Sequence, residues 1–169
     1  MRLIAFDFKI IARIFTILQI LPLLNVPLAI LQHPTFSTVP SIRMGESPAR
    51  IAREISPQPL WILLEQVLYD RNVAQYVEKF ASGKPSLGIT ADEEHKTMDT
   101  VLLICRWLME QKADRKSLVL AVGGGITTDM VGFAASIYKR GISYANVPTS
   151  LLAMIDAGIG GKTGVNLDS

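Results

Sequence analysis

The sequence predicts an α/β fold built on a mainly parallel sheet, and three features point to it. Leu118 to Val122, LVLAV, is a short unbroken apolar run of the kind that forms buried parallel strands. A helix-period pattern precedes this run and another follows it, the alternation an α/β domain requires. The run passes into the second helix through Gly123-Gly124-Gly125. The 169 residues make about one domain. Lys and Arg number 17 against 15 Asp and Glu, a net charge of +2, too weak a field to make nucleic acid the default partner. The single cysteine, Cys105, excludes an internal disulfide and a cysteine-rich zinc site, and His33 and His95 are too far apart for a short ligand motif.

From the N-terminus, Ile14 to Leu31 carries no charge and follows Arg2, Lys9 and Arg13. Three readings stand: a signal or membrane segment, an apolar extension, or translated sequence upstream of the true start. Pro22, Pro27 and Asn25 argue against a spanning helix. Residues 1–40 are therefore set apart as an apolar leader, and 41–169 as the domain. Ser47-Pro48 reads as an N-cap with proline at the first helical position, and Ile51 and Ile55 then share a face. Trp61 to Tyr69 is a mainly apolar run that periodicity assigns to neither strand nor helix. Thr90 to Glu93 spells a capping box, T-x-x-E, ahead of a helix whose apolar face is Met98, Val101, Leu102, Cys105, Leu108 and Met109. That helix stops near Lys112-Ala113-Asp114, before the LVLAV strand.

Strand, glycine turn and helix together form the geometry in which backbone N–H groups and a helix N-terminus meet a phosphate. Glycine there admits close approach of an anion and tolerates φ > 0. The spacing is not G-x-G-x-x-G, so a tight turn without ligand stands beside the phosphate reading. Met130, Phe133, Ala134, Ile137 and Tyr138 share a helix face until Gly141. A second strand, Ile142 to Val147, leads through Pro148-Thr149-Ser150 into the apolar Leu151 to Ile155, and then into Asp156-Ala157-Gly158-Ile159-Gly160-Gly161-Lys162-Thr163-Gly164-Val165-Asn166. A glycine-rich loop closed around a lysine can place an ammonium and several amides against one anion. It is not a Walker A loop, because Asp156 stands where that motif needs glycine.

Ala121 to Asn166, AVGGGITTDMVGFAASIYKRGISYANVPTSLLAMIDAGIGGKTGVN, resembles the nucleotide-binding core of 3-dehydroquinate synthase and its sugar-phosphate cyclase relatives. The likeness extends back through ADEEHKT, Ala91 to Thr97, and YDRNV, Tyr69 to Val73. The resemblance implies a Rossmann-like NAD-binding domain in a cytoplasmic shikimate-pathway enzyme. That enzyme closes 3-deoxy-arabino-heptulosonate 7-phosphate into 3-dehydroquinate with loss of phosphate, using NAD as a recycled oxidant and a divalent zinc or cobalt ion. The cofactor does the redox chemistry, and the protein supplies geometry and charge.

Residue by residue, the resemblance places Gly124 and Gly125 at the NAD pyrophosphate and Asp129 near the nicotinamide half, with Thr127 and Thr128 in the same turn. Thr128 reads equally as an N-cap. Glu93 and Lys96 match a G-E-x-x-K element that contacts the cofactor, with Asp92 where glycine is usual; Glu93 also completes the capping box. Asp70 matches the acidic residue after the first strand on the adenosine side, or is a plain turn aspartate. Thr149 and Ser150 fit the paired hydroxyls beside the cofactor. Asp156 and Lys162 fit residues between cofactor and substrate, Lys162 touching both. Arg140 fits a side chain directed at substrate phosphate, of its own or of a neighbouring subunit in a homodimer; a solvated charge at the end of the helix is the plainer reading, and the one that suits Lys139.

The family's metal ligands, a glutamate and two histidines, follow the point where this chain stops, so the expectation is an N-terminal half without the C-terminal helical metal-binding domain, no metal ligands and no turnover by itself. Asp156-Ala157-Gly158 leaves a valiolone-type cyclase open, while GGKT favours the dehydroquinate branch. A metal-dependent polyol dehydrogenase fits less well, because Leu151-Leu152-Ala153-Met154 replaces that family's small-residue segment. A non-catalytic NAD- or phosphate-binding module is the remaining alternative.

Overall fold

The computed structural model describes residues 29–32, 41–43, 59–70, 83–158 and 161–167. The expected cap at Ser47-Pro48 and the residues Arg71 to Val73 lie outside them. The described elements are β1 (Ala29–Gln32), β2 (Ser41–Arg43), β3 (Leu60–Glu65), α1 (Gln66–Asp70), β4 (Ser86–Ile89), α2 (Met98–Glu110), β5 (Leu118–Gly123), α3 (Gly125–Ile137) with a 3₁₀ turn over Tyr138–Arg140, β6 (Ser143–Pro148) and a π-helical segment, Ala153–Ala157.

One sheet holds the strands in the order β2-β1-β6-β5-β3-β4. β4, β3, β5 and β6 run parallel, and β1 adds to β6 antiparallel, with β2 beyond it. The sheet thus takes in Ala29–Gln32, from the stretch read in the sequence as leader. Among the described residues no helix is long and apolar enough to cross a membrane.

β3 and β5 are buried on both faces, which is why LWILLE and LVLAVG read as continuous apolar runs without alternation. The Trp61 to Tyr69 ambiguity arises because the run changes state at Glu65, strand before it and helix after. On one face Trp61, Leu63, Val119 and Ala121 pack against Val101, Ile104 and Leu108 of α2 and Met130, Val131 and Ala134 of α3. The other face carries Leu60, Ile62, Leu64, Leu118, Leu120, Val122 and Ala145.

Two expectations about α2 are corrected. Its N-cap is Thr97, whose side chain accepts the Thr100 amide, and not Thr90. Thr90 follows directly on β4, and the chain then makes a turn in which the Asp92 carboxylate accepts the His95 amide at 2.8 Å and meets His95 Nδ1 at 2.7 Å. The helix therefore starts one turn-forming segment later than the capping-box motif implied. Its buried face is Val101, Ile104 and Leu108, whereas Leu102 is 41% and Met109 63% exposed. An apolar residue on nearly every side of this helix made the stripe look one position displaced.

Candidate functional site

Parallel strands connected to either side of a starting strand create a crevice at the carboxyl ends of the two strands where the order reverses. Here β3 leads to β4 on one side, and the chain returns through α2 to β5 on the other. The reversal lies between β3 and β5, whose carboxyl ends are Glu65 and Gly123.

At this crevice Gly124 is the N-cap of α3 and brings no side chain to the first-turn N–H groups. The Glu65 carboxylate accepts the Gly124 amide at 2.9 Å and the Thr127 hydroxyl at 3.3 Å. Glu65 is the acidic residue that the structure puts beside the glycine turn. Sequence reasoning missed it because the run from Trp61 was not resolved into a strand ending at that residue. Asp70 ends α1, and its side chain lies outside the description.

None of the glycines 123–125 has a positive φ, so left-handed backbone is not their reason. Gly123 is required by packing: a Cβ there would lie 2.4 Å from Thr127 Oγ1 and 2.6 Å from Thr127 Cβ. A Cβ on Gly124 or Gly125 would meet protein only at ordinary contact distance, 3.6 Å from Glu65 Oε2 or from Ala157 Cβ. The two positions assigned to the pyrophosphate therefore have room for a methyl group, in ordinary contact with Glu65, Ser150 and Ala157. Gly161, immediately before Lys162, is held in left-handed conformation at φ +64; Gly83 and Gly141, away from this turn, also have positive φ.

Thr127 and Thr128 are buried, and their hydroxyls are directed into the protein, Thr127 to Glu65 and Thr128 to the Gly125 carbonyl at 2.9 Å. Thr128 is not the N-cap of α3; Gly124 is, and the Thr128 amide donates to the Gly124 carbonyl. The register Gly123↔Pro148 brings the next residues to the same edge: the Thr149 amide donates to the Gly123 carbonyl at 2.9 Å, and Ser150 Oγ lies 3.7 Å from where a Gly124 Cβ would stand. Ser150 also accepts the Ala153 amide, opening the Ala153–Ala157 segment that carries the exposed Asp156.

A second group forms one turn along α3. Lys96 Nζ lies 2.7 Å from Asp129 Oδ2, with both side chains about four-fifths buried (19% and 22% exposed). The phenol of Tyr144 is pushed up to about 12, first by burial and then by the nearby Asp129 carboxylate. Glu93, on the Lys96 turn, bonds through its carboxylate to Asn166 Nδ2 at 3.2 Å. It caps no helix, which removes its capping-box reading. Lys162 is exposed on the segment that Asn166 ends.

Arg140 stands apart. It follows α3, whose 13 residues rise about 1.5 Å each, so it lies about 20 Å from the glycine turn. Its backbone is left-handed at φ 71, as is that of Lys139 at φ 47, and Lys139 donates to the Ala113 carbonyl at 2.7 Å rather than standing free in solvent. Among the described residues no group of three or more His, Cys, Asp or Glu is placed to hold a metal ion.

The comparisons agree with this architecture. Residues 86–169 match the family described as 3-dehydroquinate synthase N-terminal. The chain is 52% identical over 80 residues to 3-dehydroquinate synthase of Campylobacter curvus (47% of this chain, 23% of the relative), and 57% identical over 74 residues to that of a Sulfurovum species (44% and 21%). It spans about a quarter of the length of such curated relatives. Among solved structures it is similar to ValA, the 2-epi-5-epi-valiolone synthase of Streptomyces hygroscopicus subsp. jinggangensis with NAD+ and Zn2+ bound (TM-score 0.60, 34% identity, 66% of this chain and 33% of that one). A 2-deoxy-scyllo-inosose synthase complexed with carbaglucose-6-phosphate, NAD+ and Co2+ gives a TM-score of 0.60 at 27% identity, over 69% and 35%. By these matches, residues 86–169 of this chain resemble the N-terminal domain of the 3-dehydroquinate synthase family.

Proposed function

We propose that this chain supplies the NAD-binding part of a 3-dehydroquinate synthase, acting on 3-deoxy-arabino-heptulosonate 7-phosphate with elimination of phosphate. The observation that carries the reading is the glycine turn at the β3/β5 switch point, bordered by Glu65, Ser150 and the Lys96–Asp129 pair. This donor set suits a dinucleotide. Amides at a helix N-terminus face an anion, a carboxylate suits ribose hydroxyls, and a lysine held in place by a carboxylate can donate hydrogen bonds to a polar ring. NAD+, when bound, supplies a hydride acceptor. In this reading Gly124 and Gly125 border the pyrophosphate, Asp70 stands on the adenosine side with Glu65 as a further acidic residue at the glycine turn, and Lys96 and Asp129 stand at the nicotinamide half with Thr149 and Ser150 beside them. Because Glu65 already bonds the Gly124 amide, the pyrophosphate is left to the other first-turn amides.

Asp156 and Lys162 are the proposed pair between cofactor and substrate, the carboxylate holding a substrate hydroxyl and the ammonium, which touches the cofactor as well, neutralising negative charge. We assign Arg140, at the far end of α3, to the substrate phosphate of a neighbouring subunit, which makes a homodimer part of the proposal, and we assign the enzyme to the cytoplasm. The described residues offer no ligand set for zinc or cobalt, and none of these roles runs through a metal. Relatives above 50% identity named as dehydroquinate synthases favour that substrate over the valiolone branch, whose solved member stands at 34%.

Calorimetric titration of the purified chain with NAD+ tests the reading. Saturable binding that Lys96→Met weakens is the expected result. No heat and no thermal shift at millimolar NAD+ would overturn it.

A further inference from the structure

The segment carrying Lys162 is built asymmetrically. On its upstream side stands Gly161, exposed and in left-handed conformation, with no atom within 4 Å of a Cβ built there. On its downstream side the chain is seated at successive residues. The methyl of Thr163 lies where Gly132 of α3 has no side chain, only 2.4 Å from the position a Cβ would take. Val165 packs against the main core. Asn166 then bonds to the turn before α2: its amide donates to the Lys96 carbonyl at 2.8 Å, its Nδ2 donates to Glu93 Oε2 at 3.2 Å, and it forms a parallel bridge with Thr97.

We propose that Asn166 is a positioning residue that fixes the Lys162 segment onto the Glu93–Lys96 turn and so sets both lysines relative to each other. The inference rests on the NAD-binding reading for its functional readout, though not for its geometry. Chain separation makes the clasp informative, since Asn166 and Glu93 are 73 residues apart. An asparagine amide is the group the place requires, because it donates to a carboxylate without bringing charge of its own. An aspartate there would set two carboxylates together. Asn166 and Glu93 are both exposed, so the bond contributes little to global stability; what it determines is where the segment from Gly161 through Lys162 ends. Lys96, held at its ammonium by Asp129 and at its carbonyl by Asn166, ties the clasp to the cofactor side of the site.

The test measures NAD+ affinity of the whole chain for wild type, Asn166→Ala, Lys162→Met and the double variant, with hydrogen exchange of the unliganded proteins alongside. Asn166→Ala should weaken NAD+ about fivefold with the melting temperature nearly unchanged, and Lys162→Met should cost much less in the Asn166→Ala background than in wild type, although the two side chains are not bonded. Additive losses would overturn the proposal. In the unliganded protein, exchange at residues 162–165 should rise in Asn166→Ala and in Asn166→Asp. It should return toward wild type when Asn166→Asp is combined with Glu93→Gln, which exchanges donor and acceptor. Unchanged exchange in Asn166→Ala would also sink the proposal. If wild type binds no NAD+, the function reading fails, while the exchange result still decides the clasp.

Discussion

The Glu65 carboxylate, at the end of β3, accepts the amide of Gly124, at the start of α3, over 2.9 Å across the gap where the strand order reverses. The same oxygen receives the hydroxyl of the buried Thr127. Removing the carboxylate leaves both donors without this partner, at a cost of about 1–3 kcal/mol. Glu65→Ala is expected to lower the melting temperature by a few to about ten degrees. Glu65→Gln, which keeps an acceptor oxygen, should recover most of the loss. An alanine variant melting with wild type would show that the contact contributes nothing.

Adjacent glycines should behave differently. Gly123→Ala drives a methyl into Thr127, and overpacking of this kind costs about 1–3 kcal/mol. Gly124→Ala meets only ordinary contacts, so its stability should stay close to wild type while NAD+ affinity falls. Chemical denaturation and calorimetry on the pair check this, and equal destabilisation by the two substitutions would contradict it.

Lys96 and Asp129 form a mostly buried ion pair between the turn before α2 and the first turns of α3. A double-mutant cycle with Lys96→Met and Asp129→Asn should give a coupling of about 0.5–2 kcal/mol, above that of an exposed pair. It should weaken only slightly as salt rises, since partial burial limits screening.

The Tyr144 phenol is raised from 10.0 to about 12, chiefly by burial. The folded state therefore favours the neutral form. The corresponding stability is complete below the unfolded value near 10 and is lost as pH climbs from there through about 12. Phenolate absorbance should show a late step near 12 that is missing in Tyr144→Phe, and the variant should lose less stability over that alkaline range. A tyrosine set that titrates fully near 10 in the folded protein would contradict this.

Local pattern carried much of what could be read from the chain alone. β5, α3 and the turn between them were legible because an unbroken apolar strand, a run of glycines and a helical period follow one another within a few residues. The family motifs are likewise contiguous stretches, so the likeness of Ala121 to Asn166 was visible without coordinates. Tertiary structure alone decided which residues face one another across the chain: Glu65 on the Gly124 amide, Lys96 on Asp129, and Asn166 on Glu93. The physical reason is that periodicity and capping motifs report interactions within a turn or two of the backbone, whereas these contacts join residues 33 to 73 positions apart and exist only once the parallel strands have set the register that brings them together.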